Sequence, residues 1–420
     1  MANLLNPRAT GRSPRMATSV SALVLTLGLL GGAYWASAAS IQHYIQPSVY
    51  TRFIAPWGDD ANDCSVALPC LTLQRVGTYL HPGDRVYARG GDYAVQAEQK
   101  MHHLSGSAEA PVLILAYPGE HPRFNASGSN FPPLDAVIKI ESSEHVLLQG
   151  FEVCCSSGRG IAVSASEFVT ISGNRVTQVA NRGIGGNGVN ITVEYNVIDR
   201  AVLSHADRDP NATWAAALGS DVHWDGTASR DWTIRGNTVT RSYGECIDVL
   251  TLIGFLVEYN FTDGCYSVDL YIDRSSWGLV RGNVFQSTIP GFERLGSDWS
   301  ANGIMLAAEQ GPLAVTPSYI VMTGNVVGPG VHYGFKWWQD PENNGTWNTY
   351  HHLDVTGNRV VGTTSTAVYF RSVGAESDPP CCSFFTGNLV EGEMVFDQPE
   401  AWTVSDNHDI SPQRPLPSPR

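Results

Sequence analysis

The chain has few charged residues and very little lysine. Only 16% of its 420 residues are charged, and lysine occurs at three positions, Lys100, Lys139 and Lys336. Acidic residues outnumber basic ones by 40 to 26, so the formal net charge at pH 7 is −14. Because nucleic acids are bound by basic surfaces, this composition excludes a nucleic-acid-binding protein.

The cysteine spacing lacks the C-x-x-C pairs of zinc sites. The eight cysteines instead form a short-range pair (Cys64, Cys70), a pair 19 residues apart (Cys246, Cys265) and two adjacent pairs, Cys154-Cys155 and Cys381-Cys382. This usage favours disulfides and an oxidising compartment. Eight cysteines allow 105 connectivities, so the sequence leaves the pairing open.

The N-terminus carries a targeting segment. Three arginines precede an apolar run from Val20 to about Trp35, and Ala36-Ser37-Ala38 follows with the small-x-small pattern of a signal peptidase site. We therefore expect residues 1–39 to be a signal peptide. The run is also just long enough to span a bilayer, so an uncleaved anchor is the alternative. Either way the body is expected outside the cytoplasm, secreted or at the cell surface.

A short phrase, an apolar residue followed three positions later by Asn, recurs through the chain. It ends at eight asparagines: Asn174, Asn196, Asn237, Asn260, Asn283, Asn325, Asn358 and Asn388. The closest copies lie 22 or 23 residues apart. A unit this short cannot bury its own apolar face, so the repeat predicts stacked coils of a β-solenoid with Asn at a corner. Two wider gaps, each about twice the period, indicate either insertions or a degenerate coil.

The segment 50–93 differs from the repeats and is expected to cap the solenoid. Thr72–Leu80 has the pattern of an amphipathic helix, which would cover the open end of the apolar core. We therefore predict a cap and first coil over 50–93, a coil array over 94–410 and a disordered Pro-rich tail over 411–420.

Several segments resemble bacterial secreted right-handed parallel β-helix proteins of the pectate-lyase-like superfamily. They are Phe53–Asp60, Pro82–Tyr93, Gly244–Asp248 and Tyr266–Asp273. The resemblance implies an all-β right-handed parallel β-helix that acts on an extracellular polysaccharide, as a lyase or hydrolase in the better-known relatives. The paired Asp and Gly-His-Gly motifs of polygalacturonase-like hydrolases are absent.

Aligning the coils on their asparagines predicts a group of outward-facing acids. Counting back from each Asn places Asp225, Asp248 and Tyr271 in one column and His223, Cys246 and Asp269 in the next, with Asp273 one step further along. Carboxylates on strands ~4.8 Å apart either share a proton or require a cation. We therefore expect Asp225, Asp248, Asp269 and Asp273 to bind a metal, with Ca²⁺ as the best fit, or Asp248 and Asp269 to supply acid and base.

Lys336 is the expected base of a lyase reaction. The triplet Gly334-Phe335-Lys336 is similar to the segment that bears the catalytic lysine in one group of calcium-dependent pectate lyases. Substrate-binding side chains on the same face are expected to be His223, Tyr271, Trp338, Tyr369 and Arg371.

The sequence thus predicts a polysaccharide-binding protein that cleaves its substrate, with β-elimination of a uronan favoured. Two alternatives stay open: a non-catalytic carbohydrate-binding or structural solenoid, and a glycoside hydrolase that uses paired carboxylates.

Overall fold

The architecture is taken from a computed structural model of the chain. It describes residues 51–411 except for 208–214, 222–226, 293–299, 310–312, 314, 339–348 and 371–378. The predicted leader and the tail from 412 lie outside this part. In the part of the chain that is described, no helix has both the length and the apolar character needed to cross a membrane.

Each coil contributes three parallel strands, which stack into three long faces. Face 1 contains Gln99–His102, Ala136–Glu141, the first half of Arg159–Ser172, Ile184–Val189, Ala216–Ser220, Glu245–Leu250, Val268–Asp273, Asn302–Ala307, Phe335–Trp338, Val368–Phe370 and Met394–Phe396.

Face 2 follows face 1 in each coil. It contains Thr51–Ile54, Arg85–Ala88, Val112–Ala116, Glu144–Gln149, the second half of Arg159–Ser172, Thr192–Glu194, Ser229–Arg235, Leu252–Glu258, Ser276–Arg281, Ser318–Thr323, His351–Thr356, Ser383–Thr386 and Trp402–Ser405.

Face 3 completes the coil with short strands. It contains Gly91–Ala94, Pro122–Asn125, Glu152–Ser156, Arg175–Val179, Val197–Asp199, Thr238–Ser242, Phe261–Cys265, Val284–Gln286, Val326–Val327, Arg359–Val360, Leu389–Val390 and His408–Asp409. Two single 3₁₀ turns, Leu203–His205 and Pro399–Ala401, also occur. The predicted all-β solenoid is confirmed.

One hydrogen-bonded asparagine ladder holds the corner between faces 2 and 3. The backbone N–H and the Nδ2 of Asn237 both donate to Oδ1 of Asn260, at 2.9 and 3.0 Å, and Asn260 bonds Asn283 in the same way. The pattern runs through all eight repeat asparagines and ends on Asn407. Each side chain joins two or more coils, so the repeated Asn is a structural residue.

The ladder also explains the two long gaps in the repeat. Asn196 bonds Asn237 directly, and Asn283 bonds Asn325 directly, although 41 and 42 residues separate them. Each gap is therefore a single coil enlarged by insertions, and the degenerate-coil alternative is wrong.

A short helix, Leu73–Gly77, covers the N-terminal end of the coil stack. Thr72 caps it by accepting a hydrogen bond from the N–H of Arg75, and Leu73 and Val76 are fully buried in the core. The helix is shorter than the predicted Thr72–Leu80, since it ends at Gly77 with Thr78 as its C-cap.

Three disulfides tie the coils locally. They join Cys64 to Cys70, Cys246 to Cys265 and Cys381 to Cys382, while Cys154 and Cys155 are free thiols.

Candidate functional site

Face 1 carries one outward row of residues in direct strand register, which we call the face-1 column. Its members are Gly219, Asp248, Tyr271, Met305, Lys336 and Tyr369. Four residues expected at the site therefore share one line. Because neighbouring strands are ~4.8 Å apart, the three steps from Asp248 to Lys336 separate them by ~14 Å. Lys336 and Asp248 can contact one polymer, but not the same sugar carbon.

The expected alignment of Asp225 with Asp248 is wrong, because Gly219 pairs with Asp248. Gly219 lies 18 residues before Asn237, whereas Asp248 lies 12 before Asn260, so inserted residues follow the strand Ala216–Ser220. Counting back from the asparagine cannot detect an insertion inside the coil. Asp225 itself, together with His223 and Arg371, lies outside the described residues.

Asp269 faces the interior and not the solvent. It is fully buried, and its Oδ1 accepts a hydrogen bond of 2.7 Å from Thr262 on face 3, beside the Cys246–Cys265 disulfide. Burial raises its pKa well above the usual range of an aspartate. The expected outward orientation is therefore wrong: the strand turns a corner here, and strict inside-outside alternation stops.

An acid and arginine cluster surrounds Asp248. Nη2 of Arg182 donates to Oδ2 of Asp248 at 3.2 Å, and Nε of Arg182 lies 3.1 Å from Oδ1 of Asp221. Arg159 pairs with the second oxygen of Asp221. Space for the Arg182 side chain comes from Gly185, where a Cβ would lie 2.5 Å from Cδ of Arg182.

Glu245 adds a second carboxyl to this cluster. It lies three residues before Asp248 at the start of the same strand and is within hydrogen-bonding reach of the Asp248 carboxyl. Burial, followed by the negative charge of Asp248, raises the pKa of Glu245 well above its ordinary value of 4.5. Glu245 therefore holds a proton at a pH where most glutamates are ionised.

The neighbouring acids respond differently to Arg182. Burial also raises the pKa of Asp248, although Arg182 opposes this shift. For Asp221, the two arginines outweigh burial, so its pKa lies below the ordinary value. The cluster thus contains carboxyls whose pKa values are driven apart, which is the arrangement that acid-base catalysis requires.

Several buried polar atoms of this surface have no hydrogen-bond partner among the described residues. They include Nη1 of Arg182 and Oδ1 of Asn302, which lies on face 1 two coils after Glu245. Oδ1 of Asp248 has no other donor among these residues, so it depends on the protonated Glu245 beside it. Buried polar groups are normally satisfied, so such a concentration indicates a surface built to bind a polar ligand.

Tyr271 and Asp273 extend the cluster by one coil. Tyr271 is 5% exposed and packs on Val268 and Met305. Burial and the charge of Asp273 raise its pKa well above 10.0. Asp273 is paired with Arg274 at 2.8 Å and accepts the N–H of Glu309 at 2.9 Å.

These carboxylates do not fit a calcium site. Asp248 is bonded to Arg182, Asp269 points into the core, and Asp273 is bonded to Arg274. Calcium needs several free oxygen ligands that converge on one point. No step of the chemistry proposed below is therefore assigned to a metal.

The far end of the face-1 column is aromatic. Nζ of Lys336 lies 4.7 Å from the ring centroid of Tyr333 and 5.2 Å from that of Trp338, and the rings of Tyr333 and Tyr369 are 5.4 Å apart. Lys336, Trp338 and Tyr369 are half-buried. Flat rings around a cation suit a sugar ring that carries hydroxyl or acidic groups.

Sequence reasoning missed Glu245, Arg182, Asn302 and Tyr333. Glu245 was within reach, because it belongs to the Gly244–Asp248 segment that resembles the superfamily, but alternation from Asp248 places it on the opposite side of an ideal strand. Arg182 comes from two coils earlier, and no spacing in the sequence identifies it as the partner of Asp248.

Comparison with known proteins identifies the fold. Residues 52–246 match the family model described as "Pel9A-like, right handed beta helix region". No curated protein matches the chain. Among solved structures, it is similar to a GH136 lacto-N-biosidase from Eubacterium ramulus, with a TM-score of 0.54 and 14% identity, over 86% of this chain and 68% of that one.

Two further solved structures are similar at comparable levels. PfbA, a surface adhesin of Streptococcus pneumoniae, has a TM-score of 0.55 and 12% identity over 80% of this chain and 85% of its own. A rhamnogalacturonan lyase has a TM-score of 0.50 and 13% identity, over 85% and 87%. Identities this low show a shared fold alone. The chain is a right-handed parallel β-helix, and its predicted resemblance to the pectate-lyase-like superfamily is confirmed.

Proposed function

We propose that the protein binds an extracellular polysaccharide along the face-1 column and cleaves its glycosidic bonds, with Glu245 as the general acid. The observation that carries the proposal is the Glu245–Asp248 pair, in which one carboxyl keeps its proton and the other is anchored by Arg182. Two carboxyls with separated pKa values are the working pair of most glycoside hydrolases.

Each residue of the cluster has a defined part in hydrolysis. Glu245 gives its proton to the glycosidic oxygen as the bond to the anomeric carbon breaks. The Asp248 carboxylate, within hydrogen-bonding reach of Glu245, stabilises the positive charge that develops on the sugar. Glu245, once it has given up its proton, accepts a proton from the attacking water and is restored. Arg182 favours the ionised form of Asp248, and its Nη1, which has no hydrogen-bond partner among the described residues, is placed to bind a substrate hydroxyl or carboxylate.

The aromatic end of the column supplies binding energy away from the reaction. Tyr333 and Trp338 lie beside Lys336, about 14 Å from Asp248, and Tyr369 lies one coil further, about 19 Å away, so they would hold sugars further along the same polymer. A substrate that reaches both ends has to span several sugar units. This favours a polysaccharide over a monosaccharide or disaccharide.

The comparisons support this class of ligand. The similar structures include a lacto-N-biosidase, a rhamnogalacturonan lyase and a surface adhesin, and the first two are named as carbohydrate-cleaving enzymes. The three disulfides favour the oxidising, extracytoplasmic location that the leader predicts.

β-Elimination of a uronan is the second candidate, and Lys336 favours it. In this reaction Lys336 would take the C5 proton of a uronate, the glycosidic bond at C4 would break, and a tyrosine such as Tyr333 would protonate the leaving oxygen. The products would be one unsaturated sugar and one new reducing end. This route places the chemistry about three coils from Glu245.

One experiment separates these routes. The folded protein without its leader is incubated with neutral and acidic polysaccharides, and both reducing ends and the ultraviolet absorbance of unsaturated uronates are measured. Hydrolysis at Glu245 predicts reducing ends without absorbance, and loss of activity in Glu245→Gln but not in Lys336→Met. Absorbance that disappears in Lys336→Met would instead establish elimination. Binding without either product would leave the non-catalytic carbohydrate-binding solenoid.

A further inference from the structure

A second outward column, on the edge of face 2, contains a row of residues in the left-handed backbone conformation. In nine successive coils, one such residue lies just before the first buried face-2 position, and we call this row the left-handed column. In chain order it consists of His145, Phe168, Asn190, Asp231, Gly254, Trp277, Tyr319, His352 and Cys382, all with positive φ.

Aromatic rings in this column stack one per coil. The ring centroids of Trp277 and Tyr319 are 4.2 Å apart with planes 11° from parallel, and those of Tyr319 and His352 are 4.6 Å apart at 12°. His145 and Phe168 stack in the same way at 4.5 Å. One ring therefore fills one coil layer.

The stack stops at Gly254. Trp277 is 61% exposed, and one face of its indole is covered by Tyr319. Its other face looks toward the preceding coil, where Gly254 has no side chain. The backbone does not require glycine there, because Phe168, Asn190 and Asp231 adopt the same left-handed conformation. Among the described residues, this leaves a gap of about one layer above the indole.

Asp231 forms the opposite wall of this gap. Its Oδ1 lies 2.5 Å from the point that a Cβ at residue 254 would occupy, so the carboxylate leans over the empty layer. It makes no side-chain hydrogen bond among the described residues. Two coil spacings, about 10 Å, separate the Asp231 and Trp277 backbones, so a ring lying on the indole would meet the Asp231 carboxylate at its edge.

We propose that this gap is a binding site for one neutral pyranose ring of a glycan. The apolar C–H face of the sugar would lie on the indole of Trp277, and its hydroxyls would donate hydrogen bonds to Asp231, whose charge makes it a strong acceptor. The same charge repels uronates, so the site selects neutral sugars. The site is independent of the cleavage proposed for face 1.

Fluorine NMR on fluorotryptophan-labelled protein tests this site directly. The resonance of Trp277 is the one missing from Trp277→Ala. Cellohexaose and mannohexaose are the neutral probes, trigalacturonate is the acidic probe, and tetramethylammonium tests for a cation site. At least one neutral probe should shift the Trp277 resonance in a saturable way, while the other two should not.

Two variants and a matched control locate the binding. Gly254→Asn fills the gap with a residue that the column tolerates at Asn190, and it should raise the dissociation constant at least tenfold. Asp231→Ala, which removes no packed side chain, should raise it at least threefold. Phe168→Ala removes an exposed ring from a filled part of the same column and should leave it unchanged.

The proposal is overturned if no neutral probe shifts Trp277, if trigalacturonate or tetramethylammonium binds as well, or if Gly254→Asn binds like the unmodified protein. Glu245→Gln should retain this binding. Failure of the cleavage proposal and failure of the pyranose site are therefore separate results.

Discussion

The asparagine ladder and the face-1 column are both rows of polar residues in strand register, but they differ in how their polar atoms are satisfied. In the ladder, each internal amide bonds the next asparagine and a backbone carbonyl, as Asn260 does with Asn283 and Ile234. Beside the column, Nη1 of Arg182 and Oδ1 of Asn302 are buried and have no hydrogen-bond partner among the described residues. The ladder is complete without a ligand, whereas the column is not.

This difference separates structure from function in a repeat protein. A residue type that recurs in every coil and satisfies itself serves the stack. A ligand is expected instead at residues that do not recur from coil to coil, such as Glu245 and Lys336. These residues bring charged or protonated groups to one face.

The largest expected effect is on catalysis. Glu245→Gln keeps the shape of the side chain but removes the proton donor, so the rate of polysaccharide cleavage should fall by about 10²- to 10⁴-fold. The free energy of unfolding should be unchanged or higher, because the substitution removes a buried carboxyl group. The matched control is Asp354→Asn on face 2, which should cleave at the normal rate. Normal cleavage by Glu245→Gln would remove Glu245 from the mechanism.

The complementary change breaks the ladder. Asn260→Ala removes the acceptor of two hydrogen bonds from Asn237 and leaves buried donors unsatisfied. We expect a loss of about 3 kcal/mol or more in the free energy of unfolding, measured by denaturant titration. Asn407→Ala, at the half-buried end of the ladder, should cost about 1 kcal/mol. Equal losses at both positions would show that burial does not set the strength of the ladder.

Stability should depend on pH through Glu245. Its pKa is higher in the folded than in the unfolded chain, so the folded state binds the extra proton. The contribution of Glu245 to stability is therefore fully present below its ordinary value of 4.5 and is lost as pH rises through the folded pKa. In Glu245→Gln, this part of the dependence of the unfolding free energy on pH should vanish, as measured by denaturant unfolding curves at a series of pH values. An unchanged slope would contradict the raised pKa.

Lys336 tests whether the two ends of the column act on one polymer. If Lys336 binds sugars away from the reaction, Lys336→Met should raise KM about threefold to tenfold and leave kcat nearly unchanged. Lys139→Met, in an earlier coil of the same face and paired with Glu141, is the control. If Lys336→Met instead lowers kcat and no longer forms unsaturated products, Lys336 is the base.

The smallest expected effect is that of a chelator. Since the three described carboxylates of the expected calcium site have other partners, cleavage should be unchanged by EDTA. Activity lost on chelation and restored by Ca²⁺ would show that other residues, with Asp225 the first to examine, complete a metal site.

The sequence predicted the fold well because its signal is periodic. The recurring Asn reports the same corner in every coil, and the ladder confirms all eight positions. The site was harder to predict, because it depends on which residues of different coils face one another. An insertion after Ala216–Ser220 changes the partner of Asp248, and a corner at Asp269 reverses a side chain. The 41-residue spacing from Asn196 to Asn237 shows that residues are inserted but not where in the coil they lie, and the reversal at Asp269 does not change the spacing of the asparagines.

The most direct test of the active-site assignment is a crystal structure of Glu245→Gln with an oligosaccharide of a polysaccharide that the unmodified protein cleaves. We predict that the glycan lies along the face-1 column, with a glycosidic oxygen beside the substituted residue 245 and Arg182 Nη1 hydrogen-bonded to the sugar. A glycan bound only on another face, with Arg182 and Asp248 untouched, would contradict the account.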